Sequence, residues 1–279
     1  MRLLHLLELT MQKYKAIISD FDQTLVLHDL TLHSKIIQKV QLFISKGYFF
    51  TIASGRGYFG DLQNAVKNMG ILIPVIIRNG AEIIDPIDGK IIFSQYIKSE
   101  IADSIIKNLL QKKVELYVEK GAITYSVNAI PGNHAPNEIY KNIILLQPEN
   151  IPKILIKINS RLKADVLRDE IMNEYDKQVS IKINTITNDN YAIDINSKNI
   201  SKSNAVRFVI EHLGLQKKQV VAVGDNANDI ELFSECGFKV AMGNAVPELK
   251  TQADLVTDSV NELGIIKVID YVLNINNSG

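Results

Sequence analysis

Apolar and polar residues alternate along this chain in two different rhythms. In the first 85 or so residues, short apolar runs rich in β-branched and aromatic side chains are separated by stretches of helical period. The runs "YKAIISD" (14–20), "YFFTIAS" (48–54) and "PVIIRNG" (74–80) read as buried strands. Between them, Ile36, Val40 and Phe43 recur on one side of a helix, and a second helical pattern runs from Leu62 to Met69. Strands that are apolar throughout, separated by helices, predict a parallel sheet covered on both faces.

The rhythm changes after residue 85. "DPIDGK" (85–90) is a turn, and from there to about 190 the strands alternate strictly, as half-buried strands do. Ile154, Ile156 and Ile158 share one face of "KILIKIN", and Val179, Ile181 and Ile183 share one face of "VSIKIN". Two helices interleave, one carrying Ile101, Ile105 and Leu109, the other Leu167, Ile171 and Tyr175. The first rhythm then resumes with a helix from about 202 (Val206, Val209, Ile210 and Leu213), the strand "VVAVGD" (220–225), the helix around "DIELFSE", and the runs "FKVAMGN" and "DLVTD". The expected fold class is α/β: a Rossmann-like parallel sheet core formed by 1–85 and 192–279, with an inserted α+β domain over 86–191.

Composition narrows the function classes. Lys+Arg and Asp+Glu both number 31, so no net field favours nucleic acid or an anionic membrane, and neither is expected as a partner. No apolar run approaches the ~18 residues of a membrane span. The opening "MRLLHLLELTM" resembles a signal peptide only faintly, being broken by His5 and Glu8, and Met11 is an alternative start. The single cysteine, Cys236, excludes an intramolecular disulfide and fits a reducing, cytoplasmic compartment; it is expected in the core.

In open parallel sheets, ligands bind beyond the carboxyl ends of the strands. The first strand delivers Asp20 and Asp22 there ("DFDQTL"), and the second Ser54 ("ASGR"). The resumed half delivers Asp225, Asn228 and Asp229 ("GDNAND"), and Lys202 begins the preceding helix ("ISKSNAV"). Several carboxylates at one sheet edge repel one another unless a cation sits among them, and hard oxygen ligands in small number suit Mg²⁺. A lysine and a serine hydroxyl beside that cation suit a phosphoryl group, and a carboxylate can serve as covalent nucleophile.

These segments, in order and followed by "AMGNA", resemble the four motifs of the haloacid dehalogenase-like (HAD) phosphohydrolases. The insert after "RNGAEI" and the ending "AMGNAVPELKTQADLVTDSVNELGI" are similar to the Cof-type subfamily, and the likeness spans about 14–270. A lone D-x-D-x-T is weak; four motifs in order, each at a predicted strand or helix end, are specific. The resemblance implies a Mg²⁺-dependent phosphatase of a small phosphorylated metabolite, such as a sugar or cofactor phosphate, with the insert as a cap. It implies Asp20 as nucleophile and Asp22 as general acid, then base. It implies Asp20, the Asp22 carbonyl, Asp225 and, less directly, Asp229 as the metal set. Ser54, the Gly55 amide, Lys202, Asn228 and the Phe21 amide would hold the phosphoryl oxygens.

Gly55, Gly57 and Gly60 also spell the dinucleotide fingerprint G-x-G-x-x-G. That turn normally follows the first strand of its unit, with an acid about 20 residues on. Here it follows the second strand, and "VIIRNG" supplies no acid, so the pattern is a decoy. Arg56 and Asn79 either face substrate or fix loops, and His134 of "PGNHAPN" either touches substrate or stands exposed. A phosphomutase would need a second phosphate site in the insert, for which Lys153, Lys157, Arg161, Lys163 and Lys182 are the basic candidates. A non-catalytic phosphometabolite-binding protein is the other alternative. Gln23 stands where the family commonly has glycine, and "NSKNISK" is a loose approach to Lys202.

Overall fold

The structure, a computed structural model, describes residues 13–129, 139–187 and 189–277. His134 and the extension up to Met11 lie outside the described residues. In chain order the elements are β1 (Ala16–Ser19), α1 (Ser34–Ser45), β2 (Phe49–Ile52), α2 (Gly60–Met69), β3 (Val75–Ile77), β4 (Glu82–Ile84) and β5 (Ile91–Ser94). Then follow α3 (Ser99–Gln111), β6 (Glu115–Lys120), β7 (Ile123–Val127), β8 (Ile139–Asn142), β9 (Lys153–Ile158), α4 (Arg161–Tyr175), β10 (Val179–Thr187) and β11 (Asn190–Ser197). The last are α5 (Lys202–His212), β12 (Val220–Gly224), α6 (Ile230–Ser234), β13 (Phe238–Ala241), α7 (Pro247–Lys250), β14 (Leu255–Val256) and α8 (Gly264–Asn277).

Among the described residues the chain divides into two compact units. One takes the chain up to Gly55, Asp61–Ile91 and the chain from Ser201 onward; the other takes Arg56–Gly60 and Ile92–Ile200. None of the described helices is long and apolar enough to cross a membrane.

The first unit is built on a five-stranded sheet in the order β14-β13-β12-β1-β2, with all neighbours parallel. Every residue of β1 and β12 is buried, which is why these strands read as apolar without alternation. Each fully buried Ile or Val contributes roughly 1.5–3 kcal/mol. The chain leaves β1 toward β2 on one side and enters β12 and β13 on the other, so the order reverses at β1/β12. Ser19 is in register with both Ile52 and Val223, which aligns the strand ends.

The run expected as a third strand over 74–80 ends earlier. Val75–Ile77 forms a hairpin with β4, touching the main sheet through the parallel bridge Ala53–Ile76. Residues 78–80 are instead a tight turn in which Arg78 (φ 50°), Asn79 (φ 59°) and Gly80 (φ 93°) are all left-handed. The N-G dipeptide is the sequence signal for such a turn.

The second unit carries a six-stranded sheet, β10-β11-β9-β6-β7-β8, antiparallel except for β7 with β8. Its helix-facing side is the apolar one: Ile154, Ile156, Ile193 and Ile195 cluster with Ile105, Leu109, Leu167 and Ile171. The opposite side is polar, as alternation predicts, but not uniformly exposed. Lys153, Thr124, Asp194 and Asn196 are buried there. Lys153 tolerates burial because Glu119 pairs with it at 3.0 Å. Arg161 pairs with Asp165, and the Lys157 ammonium sits over the Tyr117 ring at 4.9 Å. Lys153, Arg161 and Lys157, all weighed for a second phosphate, thus have intramolecular partners.

Candidate active site

Strand register brings the motif residues of the first unit to one sheet edge. Asp20 directly follows β1, and its amide continues the ladder by donating to the Val223 carbonyl at 2.8 Å. Asp225 directly follows β12, and Ser54 lies two residues beyond β2, its amide donating to the Ile76 carbonyl at 2.9 Å. Lys202 opens α5, whose N-cap Ser201 accepts from the Asn204 amide at 3.1 Å.

Asp20, Asp225 and Asp229 converge so that one oxygen of each lies within 4.8 Å of the others. The Lys202 ammonium bridges two of them, donating to Asp20 Oδ1 at 2.8 Å and to Asp229 Oδ1 at 2.7 Å. Lys202 and Asp229 are fully buried and Asp20 nearly so, which makes this a charged cluster within the fold rather than a surface one. Asp229 Oδ2 accepts from the amides of Asp225 (3.0 Å) and Asn226 (3.1 Å). Asp229 therefore clamps the loop after β12 with one oxygen and holds the lysine with the other.

Three carboxylates against one ammonium leave negative charge in excess, and the titration behaviour follows. Burial, then Asp229, pushes the Asp20 carboxyl well above the usual carboxylate range, with Lys202 opposing and Asp225 and Asp22 adding smaller pushes. Burial and Asp229 push Asp225 up to about 7, against the pull of a hydrogen bond from Thr24 and of Lys202. Burial alone would lower the Lys202 pKa, but Asp20 and Asp229 outweigh it and hold the ammonium above its ordinary value. Asn228 Oδ1, one residue before Asp229, is buried without a hydrogen-bond partner among the described residues. Asp20 and Asp225, held against ionisation by burial and by the Asp229 charge, form with Asp229 and the orphaned Asn228 oxygen a donor set that fits a hard divalent cation.

Asp22 stands two residues beyond Asp20 and contributes no carboxylate to the three-acid cluster, though its charge reaches Asp20. Phe21 is buried, and its carbonyl accepts from the Leu25 and Val26 amides, closing the loop that carries Asp22. Ser54 is buried, and its carbonyl accepts from the Asn79 amide at 3.0 Å. Cys236 is buried away from this chemistry, and burial pushes its thiol pKa up.

Several supporting residues escape a motif reading. Thr24 Oγ1 donates to Asp225 Oδ1 at 3.1 Å, joining positions far apart in the chain. Glu231 Oε2 accepts from the Lys202 amide at 2.7 Å, placing an anion at the start of α5. Asn244 ties three segments, its Nδ2 donating to the Gln23 carbonyl at 2.9 Å and its Oδ1 accepting from the Val260 amide at 2.8 Å. Gly224 is required by Asp229, since a Cβ there would lie 2.5 Å from Asp229 Oδ2. Glycine closing an apolar strand just before Asp225 is the signal in the sequence. Gln23 adopts φ 55°, a left-handed conformation that accounts for the family's usual glycine at a position the motif leaves open.

Comparison with known proteins settles the family. The model of the haloacid dehalogenase-like hydrolases matches residues 17–269. The chain belongs to that family. The 5-amino-6-(5-phospho-D-ribitylamino)uracil phosphatase of Bacillus subtilis is 27% identical over 264 residues, covering 92% of this chain and 95% of the relative. A phosphoglycolate phosphatase of Sulfurisphaera tokodaii is 25% identical over 264 residues, covering 92% and 94%. Among solved structures, a haloacid dehalogenase-like hydrolase from Bacteroides thetaiotaomicron superposes with a TM-score of 0.80 at 20% identity, covering 93% of this chain and all of that one. The family expected from the motifs and the α/β fold expected from the rhythm of strands and helices are those found for this hydrolase, and phosphatase is the activity by which both relatives are named.

Proposed function

We propose that this hydrolase is a Mg²⁺-dependent phosphatase of small phosphorylated metabolites that works through an aspartyl-phosphate. The observation that carries the reading is the buried cluster of Asp20, Asp225 and Asp229 bridged by Lys202 at the ends of β1 and β12. Asp20, Asp225 and the Asp22 carbonyl would hold the cation, with Asp229 acting through Lys202 and the loop it clamps. When bound, Mg²⁺ offsets the excess negative charge of these acids and of the phosphoryl oxygens.

Asp20 has one oxygen engaged by Lys202; its carboxylate attacks phosphorus as the ester P–O bond breaks. Asp22 donates a proton to the departing oxygen. It then takes one from the water that attacks the aspartyl-phosphate, which releases inorganic phosphate and restores Asp20. Ser54, the Gly55 and Phe21 amides, Lys202 and Asn228 orient the phosphoryl oxygens. Positioning and charge neutralisation supply most of the rate in such transfers. The insert, on the same reading, is a substrate-selecting cap. That both named relatives are phosphatases of small phosphate monoesters supports the substrate class.

The test is phosphate release from a panel of phosphorylated metabolites, with Mg²⁺ and with EDTA, beside Asp20→Asn. The expected result is metal-dependent turnover that falls by about 10³-fold or more in the variant. Turnover that survives Asp20→Asn would overturn the covalent mechanism, and turnover indifferent to EDTA the role of the cation.

A further inference from the structure

We infer that the buried turn Arg78–Asn79–Gly80 is a positioning element that fixes the Ser54–Gly55 loop and the start of α5 at one spacing. The inference rests on the proposed phosphate-holding roles of Ser54, Gly55 and Lys202.

Three successive left-handed residues, two of them not glycine, are costly. Each non-glycine residue in that region carries on the order of 1–2 kcal/mol of strain, which persists only where surrounding structure over-determines it. The surroundings here do so. Arg78 is 2% exposed and is ion-paired to Glu82, itself buried, across the β3–β4 hairpin. A buried ion pair gives little net stability, but breaking it is expensive, so it holds one conformation of the turn.

Two close approaches show what that conformation serves. On one side, the Asn79 amide donates to the Ser54 carbonyl at 3.0 Å, and a Cβ on Gly55 would lie 3.0 Å from Asn79 Oδ1. The Asn79 carboxamide thus rests directly against Gly55. On the other side, a Cβ on Gly80 would lie 2.7 Å from the Ser201 carbonyl oxygen and 3.0 Å from Ala205 Cβ. Ser201 is the N-cap of the helix that begins with Lys202. One turn therefore touches, through adjacent residues, two of the segments to which phosphoryl contacts are assigned. Of the two roles open to Asn79, the geometry favours fixing a loop.

The experiment uses the full chain and measures KM and kcat for the best metabolite, with inorganic phosphate as competitive inhibitor. Asn79→Gly removes the carboxamide while leaving a residue at ease with positive φ. Gly80→Ala adds the Cβ that would meet Ser201. Ser54→Ala and the double variant Ser54→Ala/Asn79→Gly complete a cycle. The expected result is phosphate inhibition weakened about tenfold in Asn79→Gly, with a cooperative melt retained and the loss absent when Ser54 is already alanine. A general structural defect would add to the Ser54 effect instead, and additivity overturns the inference. If Ser54→Ala weakens phosphate inhibition but Asn79→Gly and Gly80→Ala match the parent, the positioning role falls and the proposed function stands. If Ser54→Ala itself leaves phosphate inhibition unchanged, the assignment of Ser54 fails and takes this inference with it. Should Gly80→Ala not fold, the Asn79→Gly cycle decides alone.

Discussion

Asp229 accepts from the Asp225 and Asn226 amides through Oδ2 and from the Lys202 ammonium through Oδ1, so its two oxygens serve the backbone and the charge cluster separately. An amide side chain has only one oxygen and must abandon one of these tasks. Asp229→Asn is therefore expected to destabilise the protein by about 2–4 kcal/mol, with turnover reduced by about 10²-fold. Urea unfolding beside steady-state kinetics checks this; a variant that matches the parent in both would show that Asp229 is only a helix-end carboxylate. Lys202 was legible as a candidate because it opens the helix of "ISKSNAV", one of the segments that resemble the ordered family motifs. Its partners in space were less legible. Thr24 and Asp225 are neighbours only because β1 and β12 pair, and no periodicity announces a contact across that separation.

The elements that deliver these side chains were largely readable because each buried strand ends where its motif begins. β1 stops at Ser19 before Asp20, and β12 stops at Gly224 before Asp225. The 74–80 run misled because its apolar half is a strand, while "RNG" closes the hairpin in a conformation set by packing. The loops between elements are governed by long-range ties of the same kind. Asn244 joins the loop carrying Gln23 to the loop after β13 and to the turn at Val260. The bond to Gln23 is solvent-exposed and the bond from Val260 only partly buried, so Asn244→Ala should cost only about 1 kcal/mol in stability. Released from it, the strained Gln23 peptide is free to relax, and faster hydrogen exchange at the Val260 amide is the expected signature. Unchanged exchange there would mean that the loops hold their places without Asn244.

For the molecule as a whole, equal numbers of acids and bases hide a locally unbalanced charge, and that imbalance makes stability depend jointly on pH and cation. Asp20 and Asp225 have folded-state pKa values raised by burial and by Asp229, Asp225 up to about 7. In the cation-free protein the folded state consequently binds more protons than the unfolded chain between the ordinary carboxylate range and about 7. The associated stability is fully present below that range and is lost as pH rises through about 7. A bound divalent cation reverses the preference, because it favours the ionised acids and competes with their protons. Thermal melts across pH, with EDTA and with saturating Mg²⁺, should thus diverge. The two Tm curves are expected to lie close together near pH ~5 and to separate by roughly 5–10 °C above pH ~8, where the cation binds unopposed. Parallel curves would mean that the three carboxylates do not receive the cation. A gap that widens as pH falls would place the Mg²⁺-sensitive group elsewhere, since protonation of Asp20 and Asp225 can only weaken the site they form.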